Sequence, residues 1–457
     1  MRSLDLLSAI FRRHSAVRRV GRIQSVESTS VHISGLSDVA CVGHRVALGS
    51  SEHVQGEVVK VTAATVQVLL DGETKALRIG EPVRHLGQVK LYPSETWLGR
   101  VIDGSGAPVD GKPLVQGSKA VSIDNQPPSA VSRRSLGGRL ATGYALFNTL
   151  LPLVRGQRLG LFSGSGVGKS SLMAAFAREV EADIVIIALI GERGREVNHF
   201  VKSVLGQKGL QRSVVVASTS DQSPLSRRQA ALSAMSIAEY FRDQGRHVLL
   251  LLDSVTRLAE AHREIATVSG EPMSMRGFPA SLTGLLAGFS ERAGPGANHQ
   301  GDITAVFTVL VSGSDMEEPV ADTLRGLLDG HVVLSREIAE RGRFPAADVL
   351  QSVSRSLPEA ATQEENELIL SARQVMSTYE ESEIMVRSGL YQQGTNPKLD
   401  RAIALYDALD AFATERDADV PASFARLSSV LCLEEAAVPE HADALSKTTA
   451  RGAQTDV

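Results

Sequence analysis

A chain of 457 residues, with 48 Lys and Arg against 52 Asp and Glu, carries a net charge of −4 and offers no global electrostatic reason to bind nucleic acid. Cys41 and Cys432 lie too far apart for metal-ligand spacing and fit a reducing compartment. No apolar run approaches the roughly 20 residues of a spanning helix, and the N-terminus lacks the apolar core of a secretory signal. The expectation is a cytoplasmic α/β protein of two or three domains.

Residues 1–18 place Leu4, Leu7 and Phe11 at helical spacing, followed by Arg12, Arg13, Arg18 and Arg19. Such an amphipathic segment either docks on a partner or an anionic membrane surface, or packs on its own protein. Over residues 19–90 the pattern changes to short β segments, at 30–34, 58–61 and 65–70, with Val66, Val68 and Leu70 alternating. Gly35, Gly43, Gly56, Gly72 and Gly80 punctuate the turns, and the pattern predicts a small closed β-barrel. An oligonucleotide-binding barrel would want aromatic stacking platforms, yet residues 20–86 contain no Phe, Tyr or Trp.

Residues 91–358 read as a nucleotide-binding domain, entered through a turn-rich connector over 91–135 that contains Leu98-Gly-Arg-Val-Ile-Asp-Gly104. Apolar strands at 158–162, 184–190, 214–217, 248–252, 304–311 and 331–334 alternate with helical stretches, one of them over 224–244. Continuous apolar strands separated by helices predict a mostly parallel sheet covered on both faces. Residues 359–433 read as a C-terminal helical domain, with Leu368, Ala372, Val375 and Tyr379, then Leu399, Ala402, Ile403, Tyr406 and Leu409, at helical spacing. The polar, alanine-rich residues 434–457 are expected to form a disordered tail.

The strongest chemical signal is Ser163-Gly164-Ser165-Gly166-Val167-Gly168-Lys169-Ser170, set between a predicted strand and a predicted helix over 170–180. Glycines let successive backbone N–H groups turn toward one anion, and the helix N-terminus adds partial positive charge. Lys169 then reaches the terminal phosphates of a nucleotide and the Ser170 hydroxyl ligates Mg²⁺, a pattern that kinases, GTPases and ATP motors share. The strict pattern opens on glycine where this chain has Ser163, a position that only begins the loop. Asp253 ends the apolar run 248–252, where it either holds the magnesium shell or caps a turn. Glu192, in Gly191-Glu192-Arg193-Gly194-Arg195-Glu196, is the candidate base for water, although a solvated Glu/Arg loop has the same pattern. Phe344 suits either adenine or the core. Arg355 is either a surface arginine or a charge given to a neighbouring subunit's phosphate.

These stretches carry a resemblance. The phosphate loop, Gly-Glu-Arg-Gly-Arg-Glu196, Leu-Leu-Asp-Ser-Val-Thr-Arg257, Leu328-Asp-Gly-His-Val-Val-Leu-Ser-Arg336 and Phe344-Pro-Ala-Ala-Asp-Val-Leu-Gln-Ser-Val-Ser-Arg355 are similar to those of type III export ATPases, nearest to the flagellar branch. Leu390-Tyr-Gln-Gln-Gly-Thr-Asn-Pro397 agrees, and the likeness spans about residues 20–430. These ATPases are relatives of the catalytic subunit of rotary ATP synthases. The resemblance implies a homohexamer with nucleotide sites between subunits, peripherally associated with an inner-membrane export gate. It implies regulatory and stalk proteins, export substrates and chaperones as partners, and no nucleic acid. It further implies that Lys169 binds phosphate, Ser170 and Asp253 serve Mg²⁺, and Glu192 activates water. Arg193 would join the phosphate environment, Phe344 would pack on adenine, and Arg355 would act from the adjacent subunit. Two departures stand out: Ala347, where the family has a larger aliphatic residue, and Thr323, where an acid is expected before Leu324-Arg325.

The leading expectation is an ATP-hydrolysing motor for flagellar protein export. The competing readings are a virulence-type secretion ATPase, a rotary synthase subunit, an RNA-translocating helicase and a non-catalytic ring subunit. The helicase lacks its basic, aromatic barrel here, and the non-catalytic subunit has no need of Glu192.

Overall fold

Alternating apolar residues close the first unit into a barrel. In the computed structural model, which describes residues 19–49, 54–72, 77–274, 276–311 and 316–432, six strands precede the nucleotide domain. They are β1 (Val20–Val26), β2 (Ser30–Ser34), β3 (Arg45–Leu48), β4 (Val54–Val61), β5 (Val66–Leu70) and β6 (Pro82–Gly87). They pair in the order β1-β2-β5-β4-β3-β6, with β6 returning to β1, so that no edge is left unpaired. Val31, Ile33, Val46, Val58, Val68 and Val83 fill the interior. A Cβ at Gly56 would stand 2.5 Å from the Leu69 carbonyl oxygen, so β4 and β5 cross there only because that residue is glycine. Val59 and Leu69 dock the barrel on Leu225 and Ile265 of the nucleotide domain, and Glu57 pairs with Arg228 beside them. The amphipathic segment before residue 19 and the tail from 434 lie outside the described residues.

The nucleotide domain is a nine-stranded sheet. Its strands are β8 (Arg100–Ile102), β10 (Arg158–Ser163), β11 (Ile184–Glu192), β12 (Ser213–Thr219), β13 (Val248–Asp253), β14 (Gly294–Pro295), β15 (Asp302–Leu310), β16 (Gly330–Leu334) and β17 (Ala347–Ser354). A separate ribbon pairs β7 (Lys90–Leu91) with β9 (Val121–Ser122). The sheet order is β17-β16-β10-β15-β13-β11-β12-β8, all parallel except β17 against β16, with β14 antiparallel on β15. Within the apolar runs the pleat still sorts residues by face: Val185, Ile187 and Leu189 enter one core, and Ile184, Ile186, Ala188 and Ile190 the other.

Two strands depart from the reading of the sequence. The connector is not all turn, because Arg100–Ile102 adds an edge strand parallel to β12. The Arg100 guanidinium is clamped at 2.7 Å on both oxygens of Asp110, which folds the following loop back and leaves the strand free to pair. The segment carrying Phe344 and Arg355 also contains β17. Ala347 is fully buried in that strand, so its small side chain belongs to the sheet core rather than to the nucleotide cleft. Thr323 turns its hydroxyl back to the Pro319 carbonyl within its own helix.

Among the described residues three helices follow the sheet: Gln363–Arg387, Pro397–Phe412 and Val420–Leu431. Thr362 and Glu365 form a reciprocal capping box, and the Asn396 and Asp419 side chains cap the other two. Fully buried Asn148 ties this unit to the nucleotide domain. Its Nδ2 donates to Ser423 Oγ at 3.0 Å and to the Asp419 carbonyl at 3.3 Å, while its Oδ1 accepts from Thr142 N at 2.9 Å.

A buried ion pair braces the far face of the sheet. Arg292 meets Glu239 at 2.7 and 2.9 Å, with 4% and 2% of the two side chains exposed, and Asn125 donates to Glu239 at 2.8 Å. Glu239→Ala strands a buried guanidinium, so it is expected to cost about 3–5 kcal/mol. Urea unfolding measures this, and a loss below about 1 kcal/mol would show that the pair does not brace the domain.

Candidate active site

The site is assembled where parallel strands end. Strand β10 delivers Ser163, and the chain then turns through Gly166 (φ 81°) and Gly168 (φ 83°), both in the left-handed region that glycine alone adopts without strain. Gly168 caps the helix Lys169–Glu179, whose free N–H groups face the loop. A Cβ on Gly168 would meet Phe344 Cδ1 at 3.0 Å, so the Phe344 ring, 49% exposed, lies against the loop. Val167 buries its side chain in the core and can offer a phosphate only its backbone. Ser163 Oγ is buried and has no hydrogen-bond partner in the protein.

Register brings the charged groups together. Strand β11 pairs Leu189 with Asp253 of β13, and it continues past Gly191 so that Glu192 is its last residue. The expectation had ended this strand at residue 190 with Glu192 in a loop. The strand survives the glycine through a register shift between Ile190 and Glu192. Lys169 Nζ is ion-paired to Asp253 Oδ1 and lies 3.9 Å from Glu192 Oε1. Thr308 Oγ1 donates to the same Asp253 oxygen at 2.7 Å. Burial pushes the Glu192 carboxyl above its ordinary pKa and the Asp253 charge adds to the rise, while Lys169 opposes it.

Arg257 is a residue that reasoning on the sequence left without a role. It stands four residues beyond Asp253, on the first turn of the helix Val255–Ser269. A Cβ on Gly191 would meet its Cγ at 3.1 Å, so the arginine stem lies over the glycine that precedes Glu192. Its Nη1 is held 2.7 Å from Glu260 Oε2, and its Nε is buried without a partner. The only signal in the sequence was an arginine one helical turn after a strand-end carboxylate.

A cleft of about 630 Å³ joins these parts, lined by Gly164, Ser165, Gly166 and Gly168 of the loop with Lys169, Ser170, Glu192, Arg193 and Arg257. Arg193 is exposed and 3.4 Å from Glu196 Oε1, so nothing holds it inward. Arg355 is elsewhere. It follows β17, and its N–H donates to the carbonyl of Asp329, which is paired with Arg158 at the opposite end of β10. Five residues of strand, roughly 17 Å at 3.3 Å each, separate that level from the phosphate loop of the same chain. The guanidinium is exposed and donates at 3.1 Å to the Arg325 carbonyl.

The residues present fit a magnesium nucleotide. No group of three or more His, Cys, Asp or Glu side chains among the described residues would hold a metal alone. Ser170 and Asp253 carry hard oxygens that would suit such an ion once phosphate oxygens completed its shell. A glycine cradle over a helix N-terminus, with its lysine held between two carboxylates, marks a phosphate-loop enzyme that hydrolyses ATP.

Residues 143–354 match the ATP synthase alpha/beta family, nucleotide-binding domain, and residues 361–429 match the T3SS EscN ATPase C-terminal domain. The chain is 42% identical over 423 residues to the flagellum-specific ATP synthase of Caulobacter vibrioides, covering 90% of this chain and 95% of that protein. It is 39% identical to the flagellum-specific ATP synthase of Salmonella typhimurium, covering 90% and 92%. Among solved structures, the assembled ATPase EscN of the enteropathogenic E. coli type III secretion system superposes with a TM-score of 0.84. That match is 35% identical and covers 90% of this chain and all of EscN's. EscN in complex with its central stalk EscO gives 0.83. The chain belongs to the family of flagellum-specific and type III secretion ATPases.

Proposed function

We propose that this protein is the magnesium-dependent ATPase of flagellar protein export, working as a homohexamer that engages a central stalk protein. The observation that carries the reading is Glu192, half-buried at the end of β11, beside Asp253 and within 4 Å of Lys169. Relatives named flagellum-specific, up to 42% identical over 90% of this chain, support the flagellar branch. No helix among the described residues is long and apolar enough to cross a membrane, so contact with an export gate would be peripheral. Regulators, substrates and chaperones of export complete the proposed partners.

Each residue then has one task. The loop N–H groups and Lys169 bind the β- and γ-phosphates, Lys169 exchanging its carboxylate partners for phosphate oxygens. Ser170 and Asp253 would hold Mg²⁺, which would offset phosphate charge. Glu192 takes the proton of the attacking water, and Phe344 flanks the adenine. Arg193 and Arg257 add positive charge on the cleft's near side, and Arg355 of a neighbouring subunit adds it from the far side.

Two results are expected. In the parent bacterium, Lys169→Ala should strongly reduce filament assembly and swimming; undiminished motility would contradict the export role. A base must be ionised to work, and Glu192 has a raised pKa from burial and Asp253. The acid limb of kcat/KM for ATP should therefore lie above the ordinary glutamate range, activity being lost as pH falls through it. A limb at the ordinary value would mean that Glu192 titrates as a solvated group.

A further inference from the structure

Half of Phe344 is exposed, yet its ring is held against Gly168 of the phosphate loop. A ring with so much of its surface in water is not fixed by core packing, so its place is set by the backbone that carries it. That backbone is the turn between the short helix Arg336–Glu340 and β17. Two main-chain bonds hold the turn: Arg343 N–H donates to the Ile338 carbonyl at 3.3 Å, and Ser335 N–H donates to the Ala346 carbonyl at 2.8 Å.

The residue before Phe344 closes the turn. The Arg343 side chain is 7% exposed, and its Nη2 donates at 2.9 Å to the carbonyl of Ala347, the first residue of β17. One guanidinium therefore spans Phe344, Pro345 and Ala346. Its Nε stands 3.0 Å from Asp410 Oδ1 on the helix Pro397–Phe412, an ion pair rather than an aligned hydrogen bond. Asp410 sits on a firm base, because Tyr406, one turn earlier, stacks on Tyr379 of the neighbouring helix with ring centroids 3.8 Å apart. The same guanidinium ties the turn to itself and to the C-terminal helices.

Burying a guanidinium costs desolvation that an apolar side chain of similar size avoids. What the apolar side chain lacks is direction, since a planar fork with donors on two sides can fix two acceptors at once. We infer that Arg343 is the positioning residue of the base site, acting through Phe344, with Asp410 as its anchor in the helical domain. This rests on the reading of Phe344 as the residue that flanks adenine. Other residues bind the phosphates, so a loosened turn weakens the hold on the base and leaves the phosphate end as it was. Arg343 and Asp410 also suit a purely structural part, joining the helices to the sheet. The test must separate the two.

Arg343→Met keeps the apolar stem and removes the fork. In the full chain, KM for ATP should rise about three- to tenfold, the worth of one aromatic stack, with kcat near the parent's. Inhibition by magnesium tripolyphosphate, which has the phosphates and no base, should be unchanged. Arg343→Lys, which keeps the charge toward Asp410 but not the fork, should lie between parent and Arg343→Met. The neutral pair, Arg343→Met with Asp410→Leu, leaves no buried charge unpaired, so it should recover the melting temperature but not the KM. A neutral pair that recovers both would overturn the inference, and so would a parental KM in Arg343→Met or an equal weakening of tripolyphosphate. Should Arg343→Met alone fail to fold, the neutral pair carries the same comparison. Phe344→Ala is measured in parallel. If it leaves the KM for ATP unchanged, the reading of Phe344 itself falls, and the role of Arg343 with it. If it raises the KM while Arg343→Met does not, only the role of Arg343 falls.

Discussion

Glu192→Gln is expected to bind Mg-ATP like the parent and to hydrolyse it about 10²–10⁴ times more slowly. Gln keeps the shape of the side chain at the end of β11 but has no basic oxygen to receive a proton. Since the loop, Lys169 and Asp253 are untouched, the loss should appear in kcat with little change in nucleotide affinity. Lys169→Ala should behave differently, because its ammonium serves ground state and transition state alike. Both affinity and turnover should fall, and Asp253 and Glu192 would be left facing each other without their shared cation. Equilibrium binding of a fluorescent nucleotide, set beside phosphate release, separates the two patterns. If Glu192→Gln turns over like the parent, another group activates the water.

Arg355→Ala should still bind ATP and still assemble, yet lose on the order of 10³–10⁵ in rate, the range of an arginine finger. The geometry motivates this. Lys169, Glu192 and Arg257 share one cleft of one chain, with Asp253 ion-paired to Lys169 behind it, while Arg355 sits exposed at the other end of the sheet. A guanidinium there cannot reach its own chain's γ-phosphate, but on the chain's surface it is free to face a neighbour's. Specific activity of the unaltered protein should accordingly rise with concentration as rings form.

Legibility tracked how tightly the backbone dictates the residue. The phosphate loop was plain because Gly166 and Gly168 need positive φ, and few other reasons put a lysine just after such a run. Asp253 was plain because five apolar residues leading to a carboxylate mark the end of a buried strand. Glu192 was found but placed in a loop, since Gly191 looks like a break and a strand that passes a glycine through a register shift leaves no periodic trace. Strand β17 was hidden by Asp348, Gln351 and Ser352, polar residues that satisfy one another inside an edge strand. Arg257 was hidden for a different reason. Its importance comes from lying over Gly191, a contact between segments more than sixty residues apart that no local pattern encodes.

Mixing Arg355→Ala with Lys169→Ala tests the composite site most directly. Each variant alone lacks one half of every interface and should be nearly inactive. In rings assembled at random from equal amounts, about a quarter of interfaces would join an intact phosphate loop to an intact arginine of the next subunit. Hydrolysis well above the sum of the two separate preparations is the result predicted. A mixture no more active than its parts, in rings captured through an affinity tag on one variant and found to contain the other, would contradict a site shared between subunits.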